Sequence, residues 1–116
     1  VLPLTLETTG IMNAGFFAML ADGAFIINGG RGPQVDDDDL LAALDSGKLG
    51  GAALDVFAVE PLPQDHPFWT HPKVRVWPHV AAQTNATSAA EQVAAAITAM
   101  MDGSEPANRV DWSRGY

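Results

Sequence analysis

The sequence contains no cysteine. Disulfides, thiolate nucleophiles and cysteine-type zinc sites are therefore excluded. Basic residues are scarce: Lys and Arg number 6 against 14 Asp and Glu, for a formal net charge of -8. Such a surplus repels phosphate, so binding to nucleic acid or to an anionic membrane surface is not expected. Long apolar runs are missing as well; none approaches the ~20 residues a membrane helix needs. No signal-peptide pattern opens the chain. The 3 histidines, His66, His71 and His79, lie in the loop-rich middle third without a His-x-x-x-His pair on a helix, so no metal site is expected. These features fit a soluble cytoplasmic protein. What is present suits a folded domain: 116 residues, 47% of them hydrophobic, which argues against disorder.

The chain opens on Val1-Leu2-Pro3-Leu4-Thr5, an apolar stub that reads as the end of a strand and, without a Met, as part of something longer. Ile11, Met12, Phe16, Phe17, Met19 and Leu20 are spaced for a short helix within residues 10–20, which Gly10 and Gly15 weaken. Ala24-Phe25-Ile26-Ile27-Asn28 is a continuous apolar run between glycines, the pattern of a strand buried on both faces. Asp36 is placed to cap a helix over residues 37–46, with further aspartates in its first turn, Leu40, Leu41 and Leu44 as its buried stripe, and Gly47 at its end. Residues 51–57 read as a second buried strand, 61–72 as a proline-rich loop, and 74–77 as a third strand stopped by Pro78. Thr84 or Asn85 can cap a long helix to about Met101, in which Ala89, Ala90, Val93, Ile97, Met100 and Met101 keep the 3.6-residue period. Residues 103–116 are polar and irregular.

Strands alternating with helices predict a parallel α/β sheet, and such sheets bind ligands at the carboxyl ends of their strands. The polar and glycine-rich residues gather at those ends: 3–5, 28–32, 55–60 and 78–82. Gly29 and Gly30 let backbone approach a flat ligand. Arg31 beside them is either a forked cation suited to a carboxylate or a solvated arginine on a tight turn. Asp55 ends a buried strand, and a buried carboxylate needs partners. Glu60, taken alone, reads as a surface glutamate. A lone histidine such as His79 is commonly structural, but one that meets a carboxylate from another strand end would be oriented by it.

Five stretches occur in register: Leu2-Pro3-Leu4-Thr5-Leu6-Glu7-Thr8, Ile27-Asn28-Gly29-Gly30-Arg31-Gly32, Gly50-Gly51-Ala52-Ala53-Leu54-Asp55-Val56-Phe57, Glu60-Pro61-Leu62-Pro63 and Pro78-His79-Val80-Ala81. In order and gaps they resemble the carboxyl-terminal signatures of the D-isomer-specific 2-hydroxyacid dehydrogenases. Pro67-Phe68-Trp69 and the terminal Asp111-Trp112-Ser113-Arg114-Gly115-Tyr116 resemble most the glyoxylate/hydroxypyruvate reductase A branch. The resemblance implies an α/β fold: the second half of a Rossmann-type, doubly wound parallel sheet over residues 1–83, then a C-terminal helix and tail, 84–116, returning toward a substrate domain.

It also implies roles. Arg31 would bind the carboxylate of a 2-keto acid and polarise its carbonyl, His79 would give the proton, and Glu60 would hold that histidine aligned. Asp55 would contact the nicotinamide carboxamide. Leu2, Pro3, Thr8, Gly29 and Gly30, with Arg31, His79 and Ala81, would line the dinucleotide, NADP or NAD, with NADP favoured. Many relatives carry Ala, Ser or Thr where Gly30 stands. Formate dehydrogenases resemble the chain but have glutamine at the place of Glu60, so the glutamate points to a 2-hydroxy acid. The implied full-length protein is a homodimer. His66 and His71 match no catalytic position, and Trp69 either reaches a substrate pocket or anchors its own loop.

The dinucleotide fingerprint Gly-x-Gly-x-x-Gly does not occur in these residues. A half-sheet without its first strands leaves an open edge, so this segment alone is expected to be unstable and to bind cofactor weakly or not at all. Two functions from different classes remain: the carboxyl-terminal part of a 2-keto acid reductase, or a non-catalytic, corepressor-like binding relative or inactive fragment, since corepressors of the superfamily keep the same three side chains.

Overall fold

The structure, a computed structural model, describes residues 1–113; the Arg114-Gly115-Tyr116 end of the tail signature lies outside them. In chain order the elements are helix α1 (Ala14–Met19), strand β1 (Ala24–Asn28), a 3-10 turn (Gly32–Gln34), helix α2 (Asp37–Asp45), strand β2 (Leu49–Leu54), a second 3-10 turn (Pro67–Trp69), strand β3 (Val74–Val76) and helix α3 (Ala86–Met101). The three strands form one parallel sheet in the order β1-β2-β3, with Ile26 beside Ala52 and Ala52 beside Val74. This is the open, helix-covered parallel sheet of a Rossmann-like domain. The chain divides into two compact units, Val1–Ala81 and a second that begins at Ala82.

In the first unit, Ile26, Ala52, Leu54 and Val74 from the sheet join Phe17 of α1 and Leu40 and Leu44 of α2 in one core. Leu40, Leu44 and Leu49 are wholly buried. Truncating such a residue to alanine costs about 2–5 kcal/mol. The aspartate run divides its work. The Asp36 side chain accepts the Asp39 N–H and caps α2, while Asp39 accepts the Ala14 N–H at the start of α1. One acidic cluster thus fastens the two helices that cover the sheet. Gly47, at φ 80°, takes the left-handed turn that ends α2.

Four sequence expectations need correction. β1 is not buried on both faces: Ile26 and Asn28 point inward, but Phe25 is 73% and Ile27 82% exposed. Among the described residues of the first unit, nothing covers that face. The Phe25 ring lies instead over its neighbour strand, where a Cβ on Gly51 would come within 2.6 Å of Phe25 Cε1, so an aromatic shields backbone that has no side chain of its own. The stub Val1–Thr5 is not a strand; the carbonyls of Leu2 and Pro3 are taken by side chains, as described below, and that of Thr5 accepts the Thr9 N–H of a turn. α1 starts only at Ala14, because Asn13 caps it through the N–H groups of Gly15 and Phe16. β2 runs earlier than expected, over Leu49–Leu54, since the chain turns away where Asp55 begins its side-chain contacts.

The second unit contains α3, capped by the Asn85 side chain through Thr87 and Ser88 N–H. Its period is as expected, but none of its residues is buried, and Val93, Ile97, Met100 and Met101 are all more than half exposed.

Candidate active site

The carboxyl ends of β1, β2 and β3 lie side by side, and each continues into one of the loops singled out above. Beyond β2, Asp55 is buried, at 7% exposure. It takes three consecutive N–H groups from the loop after β3. Its backbone carbonyl accepts from His79 (2.8 Å), its Oδ1 from Val80 (2.9 Å) and its Oδ2 from Ala81 (2.8 Å). Burial pushes the Asp55 carboxyl up, but the two amides and the nearby imidazole outweigh it and leave it below the ordinary carboxylate range. His79 sits at φ 55°, the left-handed region that a histidine adopts only at a cost.

Glu60 is held at both oxygens. Its Oε1 accepts the Phe57 N–H (2.9 Å), and its Oε2 lies 2.8 Å from His79 Nδ1. The His79 hydrogen bond, then the Phe57 amide, holds the Glu60 carboxyl below its usual range, and the charge of Arg31 adds to this. Glu60 is therefore ionised at neutral pH and can only accept. The proton on the imidazole must then lie at Nδ1, and Nε2 is left for other chemistry. Half of the His79 side chain is exposed, so Nε2 is within reach of a ligand.

Beyond β1, two buried amides shape the arginine loop. Asn28 Oδ1 accepts the Gly30 N–H (3.0 Å) and its Nδ2 donates to the Arg31 carbonyl (3.1 Å). Gln34 Oε1 accepts the Arg31 N–H (3.3 Å), while Nε2 donates to the carbonyls of Leu2 (2.9 Å) and Pro3 (3.2 Å). Thr8 Oγ1 donates to the Pro3 carbonyl from the other side (2.7 Å). Arg31 spends one N–H on the Gly30 carbonyl (2.8 Å) and is otherwise exposed. Gly32 passes so close to the next loop that a Cβ there would lie 1.8 Å from the Phe57 carbonyl carbon. No other residue fits.

The sequence-derived residues thus form one neighbourhood. Arg31, Glu60 and His79 share an electrostatic site, Gly29 approaches Ala81 (3.6 Å from a built Cβ to that of Ala81), and Leu2, Pro3 and Thr8 are tied to the arginine loop. Gln34 escaped sequence reasoning altogether. Its one signal is that it follows the glycine-arginine turn closely enough to reach back into it. Two clefts flank the site. One of about 440 Å³ is lined by Phe57, Leu62, Trp69 and Trp77 and rimmed by Glu60 and His79. The other, of about 410 Å³, runs between Ile27, Gly29, Ala53, Trp77 and Ala81, with Asp55 as its one carboxylate. Trp69 borders the first cleft and also anchors its own loop, donating Nε1–H to the Pro63 carbonyl (2.8 Å).

The arrangement holds the open edge of an imidazole beside a fixed carboxylate, with a guanidinium within electrostatic range and an apolar ledge adjoining. Chemically it can deliver a proton to an anionic, carbonyl-bearing small molecule.

Comparison with known proteins identifies the family and the fold. The family model described as D-isomer specific 2-hydroxyacid dehydrogenase, NAD binding domain, matches residues 1–81. The whole chain is 53% identical to a glyoxylate/hydroxypyruvate reductase A of Serratia proteamaculans and 48% identical to one of Salmonella newport. It spans 37% of the length of each. Among solved structures, it superimposes over its full length on a D-isomer-specific 2-hydroxyacid dehydrogenase of Xanthobacter autotrophicus in complex with NADPH and MES, at a TM-score of 0.96 and 47% identity, covering 48% of that chain. An NADPH-dependent glyoxylate/hydroxypyruvate reductase of Sinorhizobium meliloti with NADP and sulfate gives 0.93 and 44%, also over this whole chain and 38% of that one.

Proposed function

The chain belongs to the D-isomer-specific 2-hydroxyacid dehydrogenase family, and from that premise we propose that it carries the proton-donor half of a reductase acting on glyoxylate, hydroxypyruvate or a similar 2-keto acid. The observation that carries the proposal is the wiring of His79: Nδ1 on ionised Glu60, Nε2 free, Arg31 close by.

The residues fit a dinucleotide. The cleft past Gly29 and Ala81 is mainly apolar, as the face of a nicotinamide ring requires, and Asp55 in its lining would meet a carboxamide. Leu2, Pro3, Thr8, Gly29 and Gly30 would wall it, and the NADPH complexes of related structures favour NADP over NAD. When bound, the reduced cofactor supplies the hydride. Arg31 grips the substrate carboxylate and draws electron density from the adjacent carbonyl. His79 donates a proton from Nε2 to the carbonyl oxygen, and Glu60 holds the ring aligned through Nδ1. The full-length protein is further read as a cytoplasmic homodimer whose residues 84–116 return toward its substrate domain.

The test is oxidation of NADPH and NADH by the full-length protein with glyoxylate and hydroxypyruvate, wild type beside His79→Ala. Keto-acid-dependent oxidation that the substitution removes is expected. Cofactor binding without turnover on any 2-keto acid would favour a corepressor-like binding role instead.

A further inference from the structure

Asp55 has more to do at this site than border a cofactor. Resting on the reading of His79 as proton donor, we propose that Asp55 is a positioning residue for His79. Its carbonyl and both carboxylate oxygens take the N–H groups of residues 79, 80 and 81 and so fix the left-handed turn that aims the imidazole at Glu60.

Three observations carry this. First, the grip is complete: every backbone N–H from His79 to Ala81 ends on Asp55, at 2.8–2.9 Å. Second, the turn needs holding. A left-handed histidine persists only where its surroundings over-determine it, and residues 79–81 are all exposed, so packing does not hold them. Third, Asp55 itself cannot move, being buried and fixed at the end of β2, where its own N–H donates to the Asn28 carbonyl (2.9 Å). A carboxylate is the one side chain of this length with two acceptor oxygens and no donor. An amide in its place turns one oxygen into an NH2 that faces a backbone N–H.

The proposal predicts how Asp55→Asn divides between kinetic constants. In the full-length protein, kcat should fall by about tenfold or more, the scale of a misaligned proton donor, while KM for NADPH stays within about threefold. The proton on His79 Nδ1, visible by NMR as a hydrogen-bonded imidazole resonance, should be lost or shifted. The opposite split, with KM for NADPH raised and both kcat and the resonance unchanged, would show that Asp55 acts on the cofactor alone and would overturn the proposal. A second measurement needs no variant and no turnover. In the wild-type protein the amides of His79, Val80 and Ala81 should exchange with solvent on the order of tenfold or more slowly than exposed loop amides. Free-loop exchange there would refute the grip, whatever the enzyme assay shows. A wild type inert toward every 2-keto acid but protected at these amides would count against the reductase reading and leave the grip standing.

Discussion

His79 and His71 each face a carboxylate, yet they are wired in opposite senses. His71 sits on the loop before β3, its side chain only 11% exposed. Its Nδ1 accepts the Lys73 N–H (3.2 Å) and its Nε2 lies 3.2 Å from Asp45 at the end of α2. Both ring nitrogens are spent. His66, at the other end of the same loop, repeats the pattern: Nδ1 accepts from Phe68 N–H, and Nε2 lies 3.6 Å from Asp37 at the start of α2. These two pin the loop to the two ends of one helix, and the Lys73 ammonium adds a bond to the Leu44 carbonyl. His79 meets its carboxylate through Nδ1, makes no backbone bond with its ring, and leaves Nε2 without a partner among the described residues, open for the proposed proton transfer. A histidine beside a carboxylate is therefore not a functional signal in itself. What separates a reagent from a fastener is which nitrogen is left over.

The sharpest way to break the comparison is to remove each ring in turn from the full-length protein. His79→Ala should lower turnover by about 10²–10⁴-fold, the typical worth of a positioned proton donor, and leave the unfolding midpoint nearly unchanged; steady-state oxidation of NADPH and a denaturant titration read the two. Next in size is Glu60→Gln, which keeps the shape but not the charge. Turnover should fall by about tenfold. The substitution should also remove an acid dependence: the folded Glu60 carboxyl lies below its unfolded value, so its contribution to stability is present above pH ~4.3 and is lost as pH falls through the lower folded value. Thermal melts of both proteins between pH 3 and 7 should converge at the acid end.

Smaller effects are expected on the fastening side. His71→Ala should keep wild-type turnover and lose about 1 kcal/mol of stability, the net worth of the hydrogen bonds it gives up, measured by the shift in urea midpoint. Asp37→Asn should be smallest. Burial, partly offset by His66 and reinforced by Asp36 and Asp38, raises the Asp37 carboxyl. Its charge therefore costs stability as pH rises through the folded value, so the penalty that the substitution removes should appear only above the acid range and offset the weakened His66 contact, leaving the smallest net change of the series in a urea titration. A loss of turnover in either variant would erase the distinction between the two kinds of histidine.

The parts of this molecule that were legible in its residues are those that act locally. Asp36 caps α2 and Asn85 caps α3 through amides two or three residues away, so their signals lie within one turn of sequence. The strand-helix alternation was equally plain. Burial across the sheet was not: the run Ala24–Asn28 is apolar throughout and carries no record of what lies over Phe25 and Ile27. The site splits the same way. Arg31, Glu60 and His79 were recognisable through resemblance, with Glu60 unremarkable on its own. The Gln34 bonds to Leu2 and Pro3 span some thirty residues, and those of Asp55 to Val80 and Ala81 about twenty-five; no local pattern announces such contacts.

The near-collision of Gly32 with the Phe57 carbonyl has a mechanical meaning. The chain after Arg31 and the chain before Glu60 touch backbone to backbone, with no side chain between them to rotate or compress. A shift of the backbone after Arg31 is thus passed directly to the chain that leads to Glu60.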